Sequence, residues 1–181
     1  MSPVLLSSEK IETSISNAVA YRIRYNSTDL HGKETQSTGL VVAPSEYKEG
    51  RKVISWAHGT TGIGDAGAPS AHDDPARELT LYFASGSVTQ IDYGIPALQQ
   101  FIDEGWIVVA TDHQGMGTPG IHQYTVNITN ALDAVNIVHA VREMDLGAGT
   151  KFGAIGWSQG GGTTAAVAEL DASAFGELEL V

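Results

Sequence analysis

Hydrophobic and polar positions near the start of the chain predict a β-hairpin. Ala18–Tyr25 alternates apolar and polar residues with a period of two, as a half-buried strand does. A polar turn over residues 26–33 separates it from Gln36–Ala43, a second strand-like segment that ends at Pro44. Two such segments joined by a short polar turn are typical of an antiparallel pair.

The rest of the chain alternates apolar strands with helical periodicity. The run Trp106–Ala110 is almost continuously apolar, as in a parallel strand buried on both faces. The predicted elements are strand Lys52–Ala57, helix Ile95–Glu104, strand Trp106–Ala110, helix Val126–Met144, strand Lys151–Gly156 and helix Gly161–Leu170. Residues 71–94 give no consistent pattern, although Pro75–Phe83 is compatible with a short helix.

This order of elements predicts an α/β fold with a mostly parallel sheet flanked by helices. A chain of 181 residues is long enough for one domain with a sizeable core, so residues 1–181 are expected to form a single domain. We find no internal repeat, low-complexity tract or linker in the sequence.

Composition excludes several classes of function. The net charge of −11 disfavours nucleic acid as a partner, because an acidic surface repels phosphates. With no cysteine, the chain has no disulfide and no thiolate site. No run approaches the roughly 20 apolar residues of a transmembrane helix, and the N-terminus lacks the basic and apolar regions of a signal peptide. These features do not assign the protein to a cellular compartment.

Gly156-Trp157-Ser158-Gln159-Gly160 matches the G-x-S-x-G pattern between a predicted strand and a predicted helix. In a nucleophile elbow the serine occupies a strained turn, and the flanking glycines avoid collisions with the neighbouring elements. Ser158 is therefore a candidate nucleophile. The amide N–H of Gln159, at the start of the helix, is a candidate oxyanion donor. The alternative is a glycine-rich helix cap in which the serine only caps.

The loop His58-Gly-Thr-Thr-Gly62 follows the third predicted strand. Enzymes with a nucleophile elbow place their second oxyanion donor in a loop at this position. Thr60 and Thr61 are equal candidates for that amide, whereas His58 is expected to be structural. Asp112 ends a buried strand and is expected to hold loops near the site.

Two further patterns predict neither a cofactor nor a metal. Gly62-Ile-Gly-Asp-Ala-Gly67 fits the dinucleotide fingerprint G-x-G-x-x-G, but Ala68-Pro69-Ser70 follows in place of a helix start. The acid–histidine neighbours His72-Asp73 and Asp112-His113 have no second cluster at ligand spacing.

Four segments in this order resemble the secretory lipase family of α/β-hydrolases: YRIRYNSTDLHGKETQSTGLVVAP, WAHGTTGIGDAGAPS, GWIVVATDHQGMG and IGWSQGGG. The resemblance implies an α/β-hydrolase fold, secretion, and action on triglycerides or other acyl esters. It implies Ser158 as nucleophile, with Gln159 and the Thr60–Thr61 turn supplying oxyanion donors. Many relatives carry Cys-Ala-Pro-Ser where this chain has Gly67-Ala68-Pro69-Ser70, so that family disulfide cannot form.

The family's triad runs in the order Ser…Asp…His, yet no histidine follows Ser158. We therefore expect the chain to correspond to the N-terminal portion of a lipase, incomplete after the elbow helix and with little turnover alone. The strand Lys151–Gly156 would be a sheet edge open to self-association or a complementing chain. Two alternatives remain: His58, His113 or His122 could act as base, or the domain could bind an acyl ligand or partner without catalysis.

Overall fold

A seven-stranded mixed sheet organises the protein, and the computed structural model describes residues 4–79 and 93–181. The strand order is β1-β2-β3-β5-β4-β6-β7. Pairing is antiparallel from β1 through β3 to β5, and parallel from β5 through β4 and β6 to β7. The described strands and α-helices are β1 Leu5–Ile11, β2 Ala18–Thr28, β3 Glu34–Pro44, β4 Arg51–Ala57, α1 Leu98–Asp103, β5 Ile107–Thr111, α2 Asn127–Arg142, β6 Ala148–Gly156, α3 Gln159–Val167, α4 Ala172–Phe175 and β7 Glu179–Leu180.

The sheet separates two apolar cores, and β5 contributes to both. Ile107 and Val109 face a core built with α2 and α3, while Val108 and Ala110 face the core built with α1. Because side chains alternate across a strand, a strand covered on both sides must be apolar throughout. This confirms the α/β architecture predicted from the pattern of the sequence.

Strand β1 was not predicted, since its residues are mostly exposed and follow no apolar alternation. Backbone pairing with β2 holds it in the sheet. In addition, the carboxylate of Glu143 accepts hydrogen bonds from the amides of Val4 and Leu5, at 2.9 and 2.8 Å. These long-range backbone contacts leave no local signal in the hydrophobic pattern.

Other element boundaries shift by a few residues. Helix α3 begins at Gln159, two residues earlier than predicted, and α1 begins at Leu98 rather than at Ile95. The compatible helix Pro75–Phe83 lies partly outside the described residues. In its described part, Glu78 instead forms a parallel bridge with Ile95.

The outer edge of β6 is covered only at one end. The short strand β7 pairs with Lys151 and Phe152, and the amide of Val181 donates to the carbonyl of Phe152 at 3.0 Å. From Gly153 onward, no described strand pairs with this edge. Association of another chain there stays a prediction.

Candidate active site

Ser158 occupies a strained turn between β6 and α3. Its backbone angles are φ 53° and ψ −113°, and non-glycine residues rarely adopt such a positive φ. Its side chain is exposed, and Oγ has no hydrogen-bond partner within residues 4–79 and 93–181. The turn therefore presents an unengaged hydroxyl at the point where a strand meets the start of a helix.

The glycines of the turn are required by close backbone approach. A Cβ at Gly156 would overlap the carbonyl of Gly160 and lie 2.5 Å from Thr164 Oγ1. A Cβ at Gly160 would overlap the carbonyl of Ala57, the last residue of β4. Since real Cβ atoms essentially never come within 3.0 Å of such neighbours, any side chain at either position would displace the turn.

Gln159 follows the serine as the first residue of α3. The N–H of a first helical residue has no intrahelical acceptor, and the helix dipole adds partial positive charge at that end. This amide can therefore stabilise negative charge that develops beside Ser158.

The His58–Gly62 loop packs directly against the serine turn. A Cβ at Gly59 would lie 2.7 Å from Cδ1 of Trp157, which leaves room only for glycine. Thr60 is exposed, and its Oγ1 lies 3.4 Å from the hydroxyl of Tyr124. Thr61 is buried and donates from Oγ1 to the carbonyl of Gly67 at 2.7 Å. Both threonines thus lie on the loop that contacts the turn.

Three buried histidines form a cluster beneath these loops. The ring centroids of His58 and His113 are 5.0 Å apart, and those of His113 and His122 are 6.2 Å apart. Burial lowers the pKa of His58, and it lowers that of His113 well below its usual range, with the neighbouring imidazoles adding to the effect at His113. Both rings are therefore neutral at pH 7.

The ring nitrogens of this cluster are not directed to the serine. In His58, Nδ1 lies 2.6 Å from the carbonyl of Gly59 and Nε2 lies 3.3 Å from that of Asp112. Both nitrogens of His113 are buried without a described partner. None of the chain's six histidines, all of which are described, hydrogen-bonds Ser158 Oγ.

His122 contacts the residue after the serine. Its Nε2 lies 2.8 Å from Nε2 of Gln159, and its Nδ1 lies 2.9 Å from the carbonyl of Gln114. From the sequence His122 is a candidate only as a base, because a pair of side chains 37 residues apart leaves no local signal.

Asp112 joins three segments of the chain through hydrogen bonds of its carboxylate. Its carboxylate accepts from the Ser70 amide at 2.8 Å, from the Ser70 hydroxyl, and from Thr38 Oγ1 at 2.7 Å. Burial raises the pKa of Asp112, while these hydrogen bonds and His58 oppose the shift. The side chain therefore ties the end of β5 to β3 and to the 3₁₀ turn Pro69–Ala71.

A second buried acid, Asp133 on α2, was not singled out from the sequence. It accepts from the Gln114 amide at 2.7 Å, and burial raises its pKa to about 7. Beside it, the buried hydroxyl of Tyr25 donates to Thr111 Oγ1 at 2.7 Å and lies 3.1 Å from the Asp133 carbonyl oxygen. This network supports the loop that carries Gln114 and His122 from below.

Large apolar side chains are exposed on the same loops. Trp157, beside the serine, is 61% exposed. Ile63 follows the threonine loop, and Ile121 and Tyr124 flank His122. Clustered exposed apolar residues are typical of a surface that binds an apolar ligand or partner.

Neither a metal cluster nor a membrane-spanning helix occurs in the described part of the chain. No three histidine or acidic side chains there converge to hold an ion. His72, one of the acid–histidine neighbours noted above, stacks on Tyr93 with ring centroids 3.6 Å apart. No described helix combines the length and the hydropathy needed to cross a membrane.

Comparison with known proteins supplies independent evidence for the family and the fold. The secretory lipase family matches residues 81–181. The fold is similar to the rice cell wall degrading esterase LipA from Xanthomonas oryzae in a ligand-bound form, with 18% identity, a TM-score of 0.70, and coverage of 98% of this chain and 48% of the esterase. It is also similar to Candida antarctica lipase A in its closed state, with 18% identity, a TM-score of 0.71, and coverage of 98% and 40%.

A putative hydrolase from Legionella pneumophila is similar as well, at 18% identity and a TM-score of 0.68, with coverage of 97% and 50%. No curated protein matches the chain. The chain spans about half the length of these solved structures or less. At 18% identity, the similarity to these structures is evidence for the fold alone.

Proposed function

The chain belongs to the secretory lipase family, and on that premise we propose that it carries the nucleophile and the oxyanion donors of a carboxylic-ester hydrolase. The strained conformation of Ser158 is the observation that carries the proposal. A serine with φ 53° at a strand-to-helix turn, exposed and without a partner, costs stability and gains nothing structurally. Such a conformation is explained if the hydroxyl must reach a substrate.

In the proposed reaction, Ser158 Oγ attacks the ester carbonyl and forms a bond to its carbon. The carbonyl oxygen becomes an oxyanion, which the amide of Gln159 and that of Thr60 or Thr61 stabilise. Collapse expels the alcohol and leaves an acyl-enzyme, which water then hydrolyses. The hydroxyl proton passes to a general base and from it to the leaving alcohol.

We assign that base to none of the chain's six histidines, because none contacts Ser158 Oγ. His58 and His122 have both ring nitrogens close to other groups. Burial lowers the pKa of His113 well below its usual range, which makes it a weak base, and it has no contact with the serine. We therefore propose that the 181-residue chain by itself hydrolyses esters slowly.

The exposed apolar side chains support an ester with an apolar acyl group, in line with the family. Trp157, Ile63, Ile121 and Tyr124 lie on the loops around the serine, so they would contact whatever the hydroxyl attacks. The family's description as secretory also supports export of the protein.

Covalent labelling tests the proposal. A fluorophosphonate should react with Ser158 in preference to the other serines: an Oγ–P bond forms, fluoride leaves, and the hydroxyl proton passes to water. Ser158→Ala should abolish the adduct seen by peptide mass spectrometry, and Ser173→Ala, an exposed serine on α4, should leave it unchanged. A folded chain in which Ser158 reacts no faster than the exposed Ser173 would favour a non-catalytic binding domain and refute the proposal.

A further inference from the structure

We propose that His122 is a positioning residue for the oxyanion hole, acting through the side chain of Gln159. The inference rests on the proposed function, since it concerns the residue whose backbone N–H would stabilise the oxyanion. It is carried by one buried contact, the 2.8 Å separation between His122 Nε2 and Gln159 Nε2.

With the Gln159 amide oriented as in the structure, the neighbours set which atoms donate and which accept. Nδ1 of His122 lies 2.9 Å from the carbonyl oxygen of Gln114, which can only accept, so Nδ1 carries the proton. A neutral imidazole with a proton on Nδ1 has an acceptor at Nε2. That acceptor pairs with the amide NH₂ of Gln159, whereas a flipped amide would set two acceptors against each other.

This arrangement connects the elbow to the loop after β5. Gln114 and His122 both belong to that loop, and Gln159 is the first residue of α3. The Gln159 side chain is buried, and its Oε1 has no partner among the described residues. The bond to His122 is therefore the polar contact that fixes this side chain, and through it the backbone that follows Ser158.

The same contact argues against His122 as a base. Its Nε2 lone pair is engaged by Gln159, and its Nδ1 proton is donated to Gln114. His122 would have to break the bond to Gln159 before it could take a proton from Ser158. Its role is thus to hold the donor of the oxyanion hole in place.

Binding of phenylboronic acid measures this role in the chain as it exists. Ser158 Oγ adds to the trigonal boron, the hydroxyl proton passes to water, and the anionic tetrahedral boronate places one of its hydroxyl oxygens in the oxyanion hole. Because a shift of about 1 Å in a catalytic group costs about 100-fold, His122→Phe should weaken boronate binding by roughly 10- to 100-fold. Gln159→Met, which keeps the backbone N–H, should weaken it similarly, and the double variant should be no weaker than either single variant.

His139→Phe is the matched control, because His139 is a half-buried histidine on α2 whose Nε2 lies near the Ala174 carbonyl. This variant should leave boronate affinity within about twofold of the unmodified chain, because His139 and the serine turn share no hydrogen-bond partner among the described residues. A loss at His122 that also appears at His139 would reflect general destabilisation and overturn the inference.

Nitrogen-15 NMR gives a second readout, which does not depend on turnover. We expect His122 in the unmodified chain to show a protonated Nδ1 and an unprotonated Nε2, and the backbone N–H signal of Gln159 to shift in His122→Phe but not in His139→Phe. A proton on Nε2, or additive losses in the two variants, would refute the positioning role. Boronate binding that is unaffected by Ser158→Ala would instead contradict the proposed function. The NMR result would still show whether His122 and Gln159 are hydrogen-bonded.

Discussion

Gly160→Ala tests whether close backbone approach, rather than helix propensity, governs the serine turn. Within a helix, replacing glycine by alanine stabilises by about 0.5–1 kcal/mol. At Gly160, however, the added Cβ would overlap the Ala57 carbonyl and lie 2.8 Å from the His58 carbonyl oxygen. Both obstacles are backbone atoms, so neither can move aside as a flexible side chain can.

Overpacking of this kind costs about 1–3 kcal/mol, which exceeds the propensity gain. We expect Gly160→Ala to lose net stability, and the displaced turn to react with a fluorophosphonate at least about tenfold more slowly. In a protein of this size, each 1 kcal/mol lowers the melting temperature by roughly 2–4 °C. Thermal unfolding and the labelling rate of Ser158 measure the two effects separately.

Gly161→Ala is the matched control in the same helix. A Cβ there would lie 4.0 Å from its nearest neighbour, the Gly156 carbonyl oxygen, which is an ordinary contact. This variant should gain about 0.5–1 kcal/mol from propensity and keep the labelling rate. If Gly160→Ala is as stable as Gly161→Ala and labels equally fast, the steric account of the turn is wrong.

Two further predictions concern the buried network behind the site. Because burial raises the pKa of Asp133 to about 7 from an ordinary value of 3.8, the folded state binds the proton more tightly. Its contribution to stability is present below pH 4 and is lost as the pH rises to about 7, a loss of at most about 4 kcal/mol. Asp133→Asn should flatten this part of the pH dependence of urea unfolding, and an unchanged slope would contradict the assignment. Tyr25→Phe should cost about 1–2 kcal/mol, because the Thr111 hydroxyl and the Asp133 carbonyl lose a buried partner. Tyr47→Phe, at a 62% exposed tyrosine, should change the unfolding free energy by less than about 0.5 kcal/mol, and equal effects of the two variants would refute the role of the buried hydroxyl.

Local periodicity was sufficient for the elements that pack on the sheet. The predicted helix Val126–Met144 is observed as Asn127–Arg142, because its many buried residues recur at helical spacing. The G-x-S-x-G pattern likewise predicted a strand-to-helix turn at Ser158, since its glycines reflect local steric limits. In both places a short window of sequence contains the physical cause.

Contacts between distant residues could not be predicted in this way. The hydrogen bond between His122 and Gln159 depends on the tertiary fold. The same is true of the hydrogen bonds that Glu143 accepts from the amides of Val4 and Leu5. Nothing in the residues near His122 distinguishes an anchored imidazole from a free one. The sequence therefore indicated candidate residues for the chemistry, but not the residues that hold these candidates in place.

The carbonyl group of Ala57 has a wider consequence for how this site can change. It accepts a hydrogen bond from the Trp157 amide at 3.3 Å, abuts Gly160, and immediately precedes the threonine loop. A single peptide unit thus contacts both segments that we propose as sources of oxyanion donors, the turn after Ser158 and the threonine loop. The exposed side chains of Ile63 and Ile121 make no polar contact with that peptide unit, whereas the Tyr124 hydroxyl lies 3.4 Å from Thr60 Oγ1 on the threonine loop. If the proposed function holds, substitutions at Ile63 and Ile121 would change the rim of the site while the backbone of the serine turn stays as it is.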